Sequence, residues 1–304
     1  PINVPKLWVL SSVALGISAV MLTQVKVFFL KPNWSVIGTA RAVFLFMGFA
    51  LFVSSIAFSQ QLFGVYGRNT GLITYFAFGS IFVGIATAAN KNVVKPFLIG
   101  TISALGINAI YGIFQANGGD PFKWSNPYAP VIGTLGNPNF VAAFLGMGVA
   151  FALTYLVAKG VAVKYRIASG LYIAVAIYDI LKSDAQQGIV VSLLSFGLIG
   201  YYLLKDRFSS PAIRFGYLGF GLIVTFVGIL GTLQKGPFSS ILYKPSVTYR
   251  GDYWHAGIEM FKSHPWFGVG LDAYGDYYRA ERTLAATLRR GPRSEEHTSE
   301  LQSH

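Results

Sequence analysis

The sequence predicts an all-α polytopic membrane protein, with about eight transmembrane helices and one large extracytoplasmic loop that carries short amphipathic helices. Three observations lead there. Only 12% of the 304 residues are charged and 53% are hydrophobic, against roughly 25% charged in an average soluble domain. Eight separate apolar runs approach the about 20 residues needed to cross roughly 30 Å of hydrocarbon. The connections between those runs alternate between rich and poor in lysine and arginine.

Taken in order, the predicted spans lie near 7–25, 40–59, 70–89, 94–115, 139–158, 166–182, 187–204 and 213–233. Lys26, Lys31, Arg41, Lys91, Lys95, Lys159, Lys164, Arg166, Lys205, Arg207 and Arg214 fall in alternate connections, whereas the other set holds only Lys6, Arg68, Lys123 and Lys182. By the positive-inside rule the first set is cytoplasmic, so Pro1, the 116–138 connection and everything past residue 233 lie outside. The expected organisation is a transmembrane bundle over 1–233, an extracytoplasmic region over 234–292 and a tail over 293–304. That tail, "RSEEHTSELQSH", is polar, resembles a translated sequencing adapter, and is set aside from fold reasoning. The chain opens on Pro1 with no initiator Met and no signal-peptide pattern, so it is expected to begin inside a longer protein.

Within the outer region Trp254, Ile258 and Phe261 recur at i, i+4 and i+7, which predicts a helix with one apolar face that stops before Pro265 and lies along the membrane surface. A "GVG" turn at 268–270 and a second helical stretch over 272–288 follow. Composition also excludes chemistry. The sequence has no cysteine, so neither disulfides nor thiolate sites are open to it. The net charge of +12 is scattered singly between apolar runs and forms no stripe, which argues against nucleic acid as a partner.

Polar residues stand out in four places. "GTLGNPNF" (133–140) puts Asn137 and Asn139 around Pro138, the pattern of a capped helix start; an exposed helix N-terminus there is also a seat for phosphate oxygens. "SVTYRGDYWHAGIEMFKSHPWFGVGLDAYGDYYR" (246–279) sets Arg250 among aromatic rings, including Tyr253 and Trp254. Guanidinium grips phosphate oxygens bidentately and rings stack on pyranose faces, so this suits a sugar-phosphate ligand; a headgroup-facing, snorkelling arginine is the alternative. No metal-ligand spacing occurs, since His255 and His264 are nine apart, and no metal or other cofactor is expected. Arg68, in "FGVYGRNTG" (63–71), is either a headgroup anchor or a second anion contact. Asp179, with Asp184, Gln186 and Gln187 after it, is ionisable at membrane depth or just outside it.

"FGVYGRNTG", "GTLGNPNF" and "YRGDYWHAGIEMFKSHPWFGVGL", in this order between hydrophobic spans, resemble the O-antigen ligase family, which includes O-antigen polymerases and some protein O-oligosaccharyltransferases. The likeness covers most of 40–280. It implies a multi-pass enzyme of the bacterial inner membrane, with its large loop outside. Such an enzyme takes a glycan from undecaprenyl diphosphate and transfers it, without a metal, to a lipid A-core or glycan acceptor. Arg250 matches the arginine that the family uses on the diphosphate, and Asn137 and Asn139 match its Gly-Asn-Pro-Asn element. The resemblance makes Arg68, Asn137, Asn139, Tyr253 and Trp254 candidate substrate contacts beside Arg250. Two departures are clear. "SDAQQG" (183–188) has no arginine where many members carry a Ser-Arg pair, and no His-Asn pair follows the Gly-Val-Gly turn before Pro292. The family's general base is that histidine, so the resemblance implies a C-terminally truncated chain that is inactive alone, and His255 and His264 are not promoted to replace it. A branch of the superfamily resembles proteins proposed to move bicarbonate, which makes a small-anion transporter the alternative.

Overall fold

The computed structural model describes residues 3–23, 38, 43, 45–49, 56–88, 91–122 and 129–290. Half of the expected span at 40–59, the cations Lys26, Lys31, Arg41 and Lys123, and the tail at 293–304 lie outside them. Every regular element among the described residues is an α-helix: α1 (Asn3–Thr23), α2 (Phe58–Phe63), α3 (Leu72–Ala88), α4 (Lys91–Ala116), α5 (Pro138–Val157), α6 (Val163–Lys182), α7 (Gln186–Arg207), α8 (Pro211–Thr232), α9 (Ser239–Leu242), α10 (Pro245–Ser263), α11 (Tyr274–Glu281) and α12 (Leu284–Arg290).

Five of these helices are long and apolar enough to cross a membrane: α1, α4, α5, α7 and α8. Their length and composition mark the chain as a membrane protein. Two other expected spans form helices but fall short on composition or length. The α3 helix has 17 residues, and α6 carries Arg166, Asp179 and Lys182 toward its ends. The apolar side chains that a soluble protein would bury point outward here. On α8, Phe215, Phe220, Leu222 and Phe226 are all exposed, the surface expected of a helix that lipid surrounds.

The chain divides into two compact units: Pro1–Val93 with Tyr243–His304, and Val94–Leu242. In the second unit α5 is the centre, packed on α6 and α7. Its buried residues Val141, Ala142, Leu145, Val149 and Leu153 recur on one helical face and join Ala109 of α4 and Ala176 and Ile180 of α6 in one cluster. Small residues allow this approach: a Cβ on Gly188 of α7 would stand 2.6 Å from the carbonyl oxygen of Ala142. In the first unit α1 packs on α3, with Met21 and Val83 buried against Ile17. There α10 packs on α11 around Ala256, Met260 and Tyr278.

The α10 helix ends where the sequence predicts, with His264 as C-cap just before Pro265. It starts earlier than the apolar spacing alone suggests, because Pro245 stands at its first position with φ already set for a helix. The stretch 272–288 breaks into α11 and α12 at Arg282–Thr283, where the Thr283 hydroxyl accepts the Ala286 N–H at 3.2 Å.

Candidate functional site

The loop before α5 is bound to one face of α4. Asn108, Tyr111 and Gln115 follow each other at i, i+3 and i+7, so two helical turns present three polar side chains in a row. Gln115 Oε1 accepts the N–H groups of Ile132 at 3.0 Å and Gly133 at 2.8 Å, while its Nε2 donates to Asp120 at 2.8 Å. Tyr111 donates its hydroxyl to the same Asp120 carboxylate at 2.9 Å. Asn108 Oδ1 accepts both the N–H and the hydroxyl of Thr134, each at 3.0 Å.

This arrangement explains the glycines of "GTLGNPNF". Gly133 has φ 57° and Gly136 φ 71°, both left-handed. A Cβ on Gly133 would also collide with Val141 and come 2.8 Å from Asn108 Oδ1. Asn137 is the N-cap of α5: its Oδ1 accepts the Asn139 N–H at 2.9 Å, with Pro138 at the first helical position. The expected phosphate seat is thereby depleted. Pro138 has no N–H, that of Asn139 is taken by the cap, and that of Val141 goes to the Asn137 carbonyl. Asn137 thus serves the helix start, and Asn139 is half-buried beside it.

In the first unit, "FGVYGRNTG" forms a tight loop with Gly64 at φ 83°, Gly67 at φ 87° and Asn69 at φ 54°. Asp272 fastens it, and Asp276 the preceding α2, to the segment after α10. Asp272 accepts the Val65 N–H at 2.6 Å and Asp276 accepts from Gln60 Nε2 at 2.7 Å. Arg68 sits exposed on this loop.

On α10 the packed and unpacked faces separate cleanly. Ala256 and Met260 are buried, and Tyr253 lies 4.8 Å from the Tyr278 ring, centroid to centroid, with its carbonyl accepting the Tyr274 hydroxyl. The opposite face carries Trp254 (72% exposed), Ile258 and Phe261 (63%). Arg250 is exposed four residues before Trp254, so by helical spacing it stands at the head of that apolar stripe. It forms neither a hydrogen bond nor an ion pair among the described residues, unlike Arg289, which pairs with Asp252 on another face of the helix. Because α10 starts at Pro245, Arg250 lies within the helix, past its first turn. Tyr253, Trp254, Gly257, Ile258, Phe261 and Tyr274 line a shallow groove of ≈ 670 Å³ along the stripe.

No protein-family model, curated protein or solved structure matches the chain. The local chemistry must therefore stand by itself. Arg68, Arg250, Tyr253 and Trp254 belong to the first unit; Asn137 and Asn139 belong to the second. Among the described residues no three His, Asp or Glu side chains converge to hold a metal ion. His264 Nδ1 is 3.0 Å from the Ser263 hydroxyl and its ring meets Tyr277 edge-on. Lys262, hydrogen-bonded at 2.7 Å, holds the exposed Glu259 carboxyl below its ordinary range. Sequence reasoning missed Tyr274 and Gly257 as groove walls and the α4 face as the anchor of the 129–137 loop. The spacing of Asn108, Tyr111 and Gln115 was a signal for that anchor, visible as polar residues on one side of an otherwise apolar helix.

Proposed function

We propose that the chain is a membrane glycosyltransferase of the O-antigen ligase type. It takes a glycan from undecaprenyl diphosphate and joins it to an acceptor hydroxyl of a lipid A-core or another glycan, on the outer side of the bacterial inner membrane. The reading includes eight spans and an outward-facing large loop. One observation carries it: the exposed Arg250, which has no partner among the described residues, heads the exposed stripe Trp254, Ile258 and Phe261. A phosphate group followed by a hydrocarbon chain is the chemistry that such a face complements, since guanidinium binds phosphate oxygens and the stripe removes apolar surface from water. The same stripe suits a helix lying in the membrane surface, where the carrier lipid presents its headgroup.

In the transfer, the acceptor oxygen bonds to the anomeric carbon as the bond from that carbon to the diphosphate oxygen breaks. The diphosphate leaves with the electron pair, and the charge gathering on it is what Arg250 stabilises; the acceptor proton passes to a base. Neither His255 nor His264 is given that last role.

Equilibrium binding of undecaprenyl diphosphate to the chain in nanodiscs tests the reading. Saturable binding that Arg250→Ala weakens supports it. Equal binding by both proteins contradicts it, and no affinity for the lipid together with uptake of bicarbonate favours the transporter alternative.

A further inference from the structure

Asp179, near the end of α6, is fully buried, and neither carboxylate oxygen has a hydrogen-bond partner among the described residues. Both oxygens lie against Gly112 of α4, where a methyl group would fall onto the carboxylate. Its helix neighbours Ala176 and Ile180 belong to the apolar cluster of this unit. A bare carboxylate in such surroundings is strongly disfavoured, so something neutralises it.

Among the described residues no lysine or arginine acts on Asp179. Lys182, three residues on, stands over the Tyr178 ring at 5.7 Å. Facing it from α6 itself is Tyr172, whose hydroxyl donates to the Leu145 carbonyl at 3.3 Å. From α4 the residues flanking Gly112 on the same face are Asn108 and Gln115, neither titratable. Their side-chain oxygens already accept N–H groups from the loop. The α4 residue next to Gly112, Tyr111, is engaged with Asp120. The apolar cluster that Ala176 and Ile180 join adds Val141, Ala142, Leu145 and Val149 of α5 and Val131 of the loop, none of them titratable. A metal cation needs a shell of several oxygens, and these surroundings do not offer one. Full burial shuts out a cationic ligand from solvent.

We propose that Asp179 is a proton-binding site, its carboxyl held neutral against Gly112, and that loss of this proton loosens the 129–137 loop. The coupling runs through α4. Gly112 lies between Asn108 and Gln115, the two side chains that hold Ile132, Gly133 and Thr134. A charge appearing at Asp179 drives water and Gly112 into competition for one place, and α4 shifts with the loop it carries.

The test uses the chain in nanodiscs, with infrared spectra and hydrogen–deuterium exchange recorded across pH and exchange corrected for its intrinsic pH dependence. The expected result is a protonated-carboxyl stretch at neutral pH that vanishes in alkali as exchange of 129–137 accelerates. Asp179→Asn should lack the band and keep the loop protected in alkali. Should that variant fail to fold, Asp179→Glu assigns the band by shifting it, and Gly112→Ala should loosen the loop already at neutral pH. An ionised Asp179 at neutral pH, or loop protection that ignores its titration, overturns the proposal.

Discussion

Two polar stretches with similar promise in the sequence use their side chains differently. Around "GTLGNPNF" the polar groups are consumed by the fold: Gln115 and Asn108 hold the loop backbone, and Asn137 caps α5. On α10 the fold takes Ala256, Met260 and Tyr253, and leaves Arg250, Trp254, Ile258 and Phe261 to the surroundings. The contrast teaches that polar residue type alone does not mark a binding site. What marks one is a hydrogen-bonding or charged group that the structure positions and does not itself satisfy.

Substitutions on the two sides should therefore fail in different ways. The largest effect is expected for Gln115→Leu, which strands the buried N–H groups of Ile132 and Gly133 at a cost of about 1–3 kcal/mol each. Thermal unfolding and proteolysis of the 129–137 loop would register it. Arg250→Ala should weaken undecaprenyl diphosphate binding by about 1.5–3 kcal/mol, the range for hydrogen bonds to a charged group, while the melting temperature stays put. An equal loss of stability in that variant would erase the distinction between the regions. Gly133→Ala, forced into a left-handed conformation, should destabilise by about 1–2 kcal/mol before its collision with Val141 is counted. Asn137→Ala should cost about 1 kcal/mol through the lost cap and leave lipid binding unchanged. Trp254→Ala is the smallest in stability, within about 0.5 kcal/mol, because its ring is exposed; binding of a long-chain polyprenyl diphosphate should still weaken.

Much of this was readable in the chain. The apolar runs mark the five long apolar helices, and Asn-Pro-Asn marks the start of α5 near Pro138. The stripe Trp254, Ile258, Phe261 gives the helix type of α10, but its spacing does not say which other side chains pack. The packed face uses the smaller Ala256 and Met260, which admit the stacked rings of Tyr274 and Tyr278. Nor does spacing foretell that Asp272 and Asp276 would fasten the Arg68 loop and the α2 helix before it from more than two hundred residues away, because such pairings are tertiary. The difference between a capping Asn137 and a ligand-binding one is likewise invisible until the donor it serves, the Asn139 N–H, is placed.

The most direct measurement is photo-crosslinking with an undecaprenyl diphosphate bearing a photoreactive group beside the phosphates, followed by peptide mapping. Modification concentrated on residues 249–261, and lost in Arg250→Ala, is the predicted result. Modification concentrated around Asn137 and Asn139, indifferent to Arg250, would contradict the account.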